Sequence, residues 1–155
     1  MASVSRVWNP ANGFDHVAFT VFLELPGREG GATVMPFQNA TLPDAMRWHY
    51  RLRAHGWSNV LHAAAEASAT SEGTPVSPAA RIDTDTAADT VTFTLSGAAL
   101  GYPPSLAGAR LYVSTWDFDA GARALTPQAQ AHSFGGGDGA RDPLIMDDTG
   151  VIVLP

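Results

Sequence analysis

FDHVAFTVFLEL, residues 14 to 25, places Val17, Phe19, Val21, Leu23 and Leu25 on one face by strict alternation and Ala18, Thr20, Phe22 and Glu24 on the other. A period of two residues is the signature of a β-strand. Because Ala18 and Phe22 are apolar as well, the second face is expected to be partly covered, as in a central strand of a packed sheet. Pro26 and Gly27 end the run, and Arg28 to Pro43, with two glycines and two prolines and little periodicity, reads as a long connection. Arg47 to Arg53 (RWHYRLR) then alternates Trp48, Tyr50 and Leu52 with Arg47, His49, Arg51 and Arg53, which predicts a second strand with one aromatic and one cationic face. Core packing is the expectation for Trp48 and Tyr50.

His55-Gly56-Trp57 turns the chain into SNVLHAAAE, where periodicity does not decide between helix and strand. Ala67 to Ala80 is polar, small and punctuated by proline, and is read as a surface loop in preference to a domain linker, since neither side alone holds a convincing core. In TVTFTL, residues 90 to 95, Val91, Phe93 and Leu95 oppose three threonines, and in RLYVSTWDFD Leu111 and Val113 oppose Tyr112, Ser114 and Trp116 before Asp117 to Gly121 closes the strand. The remainder alternates turn signals (FGGGDGARDP) with two short apolar runs, Leu144 to Met146 and Val151 to Leu154. At least five strand-like runs and no secure helix predict an all-β protein, an antiparallel β-sandwich.

Composition agrees. A chain of 155 residues, 45% apolar and 15% charged, supplies one hydrophobic core, so residues 1–155 are expected to form a single domain. Fifteen glycines and eleven prolines, about one residue in six, favour short elements joined by tight turns. Nine basic against fifteen acidic residues give a net charge of −6, which leaves no electropositive surface for nucleic acid or an anionic bilayer. The absence of cysteine excludes disulfides, thiol nucleophiles and thiolate metal sites. No apolar stretch approaches the roughly 20 residues that span a bilayer, and Met1 to Pro10 lacks the apolar core of a signal peptide, so an export signal, if there is one, lies outside these residues.

No catalytic constellation emerges. Asp117, Asp119, Asp147 and Asp148 supply carboxylates for a glycosidase pair, but aspartates beside glycine are ordinary turn formers, and there is no G-x-S-x-G elbow. His16, next to the apolar strand, reads as a structural histidine. Asp117-Phe-Asp119-Ala-Gly121 opens like a calcium loop and makes Asp117 and Asp119 candidate oxygen ligands, although a third alternate carboxylate and a distal glutamate are missing. The glycines of FGGGDG, residues 134 to 139, lack a following Lys-Ser/Thr and read as a turn needing positive φ or a close backbone approach. Four tryptophans and three tyrosines raise a different chemistry. A sugar ring has an apolar C–H face that stacks on an aromatic plane while rim donors bond its hydroxyls. Trp57 and Tyr102, each beside Gly or Pro in a predicted loop, are the candidate platform, with Trp116 as a further candidate and His55 and Asn59 as rim donors.

The blocks NGFDHVAFTVFLELPG (12–27), HGWSN (55–59), STWDFDAGARAL (114–125), FGGGDG (134–139) and DPLIMDD (142–148), in this order, resemble the C-terminal module of glucodextranases, related to modules appended to bacterial α-amylase-family and pullulanase-type glycoside hydrolases. The resemblance implies a β-sandwich like the DOMON and family-9 carbohydrate-binding folds (a jelly roll), with no catalysis of its own. It implies a partner α-glucan polysaccharide such as starch, a covalently linked upstream catalytic domain, and an exported parent, extracellular or periplasmic. The alternative it leaves is a structural or cell-surface-attachment domain without a ligand of its own. Because the chain starts close to the Asn-Gly-Phe block, the resemblance also leaves room for missing first strands and an unpaired sheet edge.

Overall fold

A computed structural model of the chain describes residues 7–155, so the leader reading of Met1 to Pro10 lies largely outside the described residues. Among the described residues thirteen strands follow one another: β1 (His16–Glu24), β2 (Val34–Met35), β3 (Ala40–Thr41), β4 (Tyr50–His55), β5 (Ser58–Ala63), β6 (Thr74–Val76), β7 (Arg81–Asp85), β8 (Thr90–Thr94), β9 (Arg110–Phe118), β10 (Ala124–Thr126), β11 (Ser133–Gly135), β12 (Asp147–Asp148) and β13 (Ile152–Val153). No helix occurs among the described residues, and none is long and apolar enough to cross a membrane. The fold is all-β.

A seven-stranded sheet in the order β12-β9-β1-β4-β5-β6, with β13 also on β9, carries the molecule, and every pairing in it is antiparallel. The alternation in residues 14 to 25 does what it predicts: β1 is central, paired along its whole length with β9 and over five residues with β4. Leu23 and Leu25 pack on one face with Tyr50, Leu52 and Leu61 of β4 and β5, under Ala99, Leu100 and Ala109. The β7–β8 hairpin covers the same face, with Phe93 set edge-on to Phe14 and Phe19. On the opposite face Phe22 meets Trp48 and Tyr112, covered by Met35, Leu42 and Met46 from the β2–β3 region. The central strand buries Phe22 completely on one side and Leu23 on the other, which explains why neither face of its sequence is polar. These layers make the antiparallel sandwich, to which β10 and β11 add one parallel pair.

One strand departs from the sequence reading, and one segment left open by it is decided. Arg47 to Arg53 is not one alternating strand. Trp48 forms an isolated bridge with Ala32 and packs with Phe22, whereas Tyr50 and Leu52 point to the opposite core. The register breaks at His49, whose N–H donates to the Leu23 carbonyl while its Nδ1 accepts the Leu25 N–H at 2.9 Å, so two aromatics two residues apart end on different faces. SNVLHAAAE resolves as strand β5 followed by a turn, because Ser58 to Ala63 has β4 to pair with. β1 is not an edge strand, since both its flanks are occupied. The sheet edges are β6 and the two-residue β12 and β13.

Candidate functional site

The β4–β5 turn, His55 to Ser58, projects Trp57 into solvent at 48% exposure. It is held from below by the segment that precedes β1. Asn12 donates its amide to the carbonyls of His55 (2.7 Å) and Ser58 (3.1 Å), and its backbone N–H donates to Gly56. Gly56 is required at the turn: a Cβ there would lie 2.6 Å from the Phe14 carbonyl oxygen and 2.8 Å from Pro10. The same segment carries a second exposed indole. Asp15, 3% exposed, accepts the backbone N–H of Trp8 at 2.7 Å, and Trp8 itself is 62% exposed. Trp8, Trp57, Asp119 and Ala120 line one recess of about 320 Å³, near the lower limit for small-ligand sites. Two exposed indoles whose backbone is held by polar side chains, Asp15 and Asn12, are a built feature, since lone exposed apolar rings need no such support.

His55 lies beneath this turn, stacked on Phe118 at 3.9 Å between ring centroids, with its Nδ1 accepting the Trp57 N–H at 3.3 Å. Burial, then the charge of Arg53, holds its pKa below the usual imidazole value, so the ring is neutral near pH 7. Trp116, paired with Ala18 on β1, is partly buried, edge-on to Phe134 at 5.3 Å, and donates its indole N–H to the Arg123 carbonyl. It faces a second recess of about 320 Å³ together with Phe134, Leu125, Asp142 and Met146. The glycines of FGGGDG build one wall of that recess by both expected means. Gly136 has φ +88°, and a Cβ on Gly137 would fall 2.3 Å from Leu125 Cδ2.

The remaining sequence candidates go elsewhere. Tyr102 is 76% exposed, but it follows Leu100 and Gly101 beside Tyr50, which pairs with Leu23. That is the opposite end of β1 from Trp57, so the two rings do not form one platform. Asn59 turns its amide to the Ala80 carbonyl and tethers the loop before β7. Asp117 and Asp119 converge on Arg123, with Asp117 Oδ1 3.2 Å from Nε and Asp119 Oδ2 3.4 Å from Nη2. Calcium takes six to eight oxygen ligands. Here one guanidinium faces both carboxylates, and no group of three His, Cys, Asp or Glu side chains suited to a metal occurs among the described residues. The arrangement does not fit a calcium site. Asp147 lies on the sheet edge, paired with Thr115.

Trp8 is the residue that sequence reasoning missed. Its signal was available: like Trp57 it stands outside any apolar stripe, next to the turn-forming Asn9-Pro10. Also unforeseen is a polar network on the Phe22 face, where Glu72 reaches Arg53 Nε (2.7 Å), His62 Nε2 (3.0 Å) and Arg51 Nη1 (3.7 Å). Burial pushes Arg51 down to about 10, against the opposing pull of Glu72.

The blocks quoted from the sequence thus meet in space. NGFDH clamps HGWSN, and STWDFD, FGGGDG and DPLIMDD enclose the Trp116 recess. Residues 1–151 match the model of a family described as the C-terminal binding-module, SLH-like, of glucodextranase. The chain belongs to that family. No curated protein matches it. As a glucodextranase-type C-terminal module, the chain belongs with accessory binding domains.

Proposed function

We propose that this module binds α-glucan polysaccharide, starch-like in its linkages, on behalf of an exported glycoside hydrolase covalently linked upstream, in an extracellular or periplasmic setting. The observation that carries the reading is the pair of exposed indoles, Trp8 and Trp57, lining one recess on backbone held by the side chains of Asp15 and Asn12. A glucose ring stacks its C–H face on the indoles, and Asp119 accepts hydrogen bonds from its hydroxyls. His55 fixes the turn from below, and Trp116 serves a neighbouring recess. Tyr102, at the other end of the sheet, and Asn59, bonded to Ala80, contribute least to this surface. A shallow platform that orders few groups gives dissociation constants of roughly micromolar to millimolar.

Affinity electrophoresis in starch, glycogen, dextran and pullulan gels tests this. The wild-type chain is expected to be retarded in at least one gel, and Trp57→Ala, still folded by circular dichroism, to migrate freely. Unretarded migration in all four gels rejects the glucan reading. The family's SLH-like character favours a second reading, attachment to the cell surface. Under that reading the chain pulls down with purified cell-wall material and ignores all four glucans.

A further inference from the structure

We infer that the glucan surface is bipartite: a second sugar ring seats in the recess between Trp116 and Phe134, and Arg123 joins that subsite to the Trp8–Trp57 recess. The inference rests on the glucan reading above and adds to it the length of chain recognised. Two observations carry it. The two recesses have equal volumes of about 320 Å³ and are both supplied by the β9 hairpin, Trp116 to one and Asp119 with Ala120 to the other. Arg123, which returns from that hairpin, contacts lining residues of both. Its Nη2 donates to Asp119 at 3.4 Å, its guanidinium carbon stands 5.7 Å from the centre of the Phe134 ring, and its carbonyl holds the Trp116 indole.

The second recess has the chemistry of a ring site in its own right. Trp116 and Phe134, set edge to face, give it an apolar wall, and Met146, 54% exposed, forms an apolar rim. The Asp142 carboxylate lines it as an acceptor. Gly136 and Gly137 keep backbone where side chains would otherwise fill the space. Guanidinium presents five N–H donors; its Nε faces Asp117 at 3.2 Å and Nη2 donates once to Asp119. The other Nη donors face sugar hydroxyls between the two rings. Linking two weak sites through one ligand turns the second contact into an intramolecular one, so affinity climbs steeply once the ligand spans both.

Isothermal titration calorimetry of the whole chain with α-glucan oligosaccharides of increasing length reads this directly. Wild-type affinity is expected to rise by about tenfold or more between ligands that fill one recess and ligands that span two. Phe134→Ala and the surface variant Met146→Ser are expected to hold long ligands no more tightly than wild type holds short ones. Trp57→Ala weakens ligands of every length. Should Phe134→Ala fail to fold, Met146→Ser decides. Wild-type affinity independent of length, or a length dependence that survives in Met146→Ser, overturns the second subsite while leaving the glucan reading standing. Failure of every oligosaccharide and polymer to bind overturns both.

Discussion

Asn12 carries more of the candidate site than any residue that touches solvent there. Its side-chain amide satisfies two carbonyls of the Trp57 turn, across 43 and 46 residues of sequence. Asn12→Ala leaves both without that partner, at a cost of about 1–3 kcal/mol, read as a lower urea midpoint together with lost glucan retention. Gly56→Ala is expected to be as damaging, since its Cβ would meet the Phe14 carbonyl oxygen. At Asp117 and Asp119 the expectation is negative: excess EDTA leaves the melting temperature unchanged, because Arg123 faces both carboxylates. A drop that calcium restores would contradict this. Trp57 was legible as a loop aromatic because it adjoins a glycine; Trp8, flanked by Val7 and Asn9, does not adjoin Gly or Pro, and only its place outside any apolar stripe marks it. The partnership of Asn12 with the turn was not legible, because nothing local in Asn-Gly-Phe points 43 residues ahead.

At the scale of elements, the strands read best from sequence are those with a covered face and an alternating pattern. β1, β8 and β9 followed their period, and Phe93 faces inward between threonines as expected. β4 did not, because alternation was extended through His49, where a side-chain nitrogen replaces a ladder bond. β7, β10 and β11 carry too few apolar residues to announce themselves. The histidines of these elements give a pH dependence. His49 and His62 are held below the ordinary value of 6.5 chiefly by burial, assisted by Arg28 at His49 and opposed by Glu72 at His62. Below about pH 6.5 the unfolded chain takes up protons that the folded chain refuses, so stability is full above that pH and falls as pH drops. The urea midpoint is therefore expected to be higher at pH 7.5 than at pH 5. His49→Gln, which keeps an acceptor for Leu25, is expected to flatten the slope.

Across the whole molecule, glycine and proline content and one apolar pattern were enough to foresee an all-β sandwich. Which residues gather at each end of the sheet depends on strand order, and that separates Tyr102 from Trp57. Strand order also blunts the edges: β6 contains Pro75, and β12 and β13 are two residues long. With a net charge of −6, the chain is expected to remain monodisperse by light scattering. Acrylamide is expected to quench Trp8 and Trp57 and to spare Trp48, which is 0% exposed. Trp8 and Asn12 are bound to the rest of the fold by a handful of hydrogen bonds, to Asp15 and to the β4–β5 turn. Saccharide bound across both indoles must then tighten that docking by mass action, so deuterium uptake at the amides of Trp8, Asn12 and Trp57 should slow as the sugar concentration rises, well before any strand at the centre of the sheet responds.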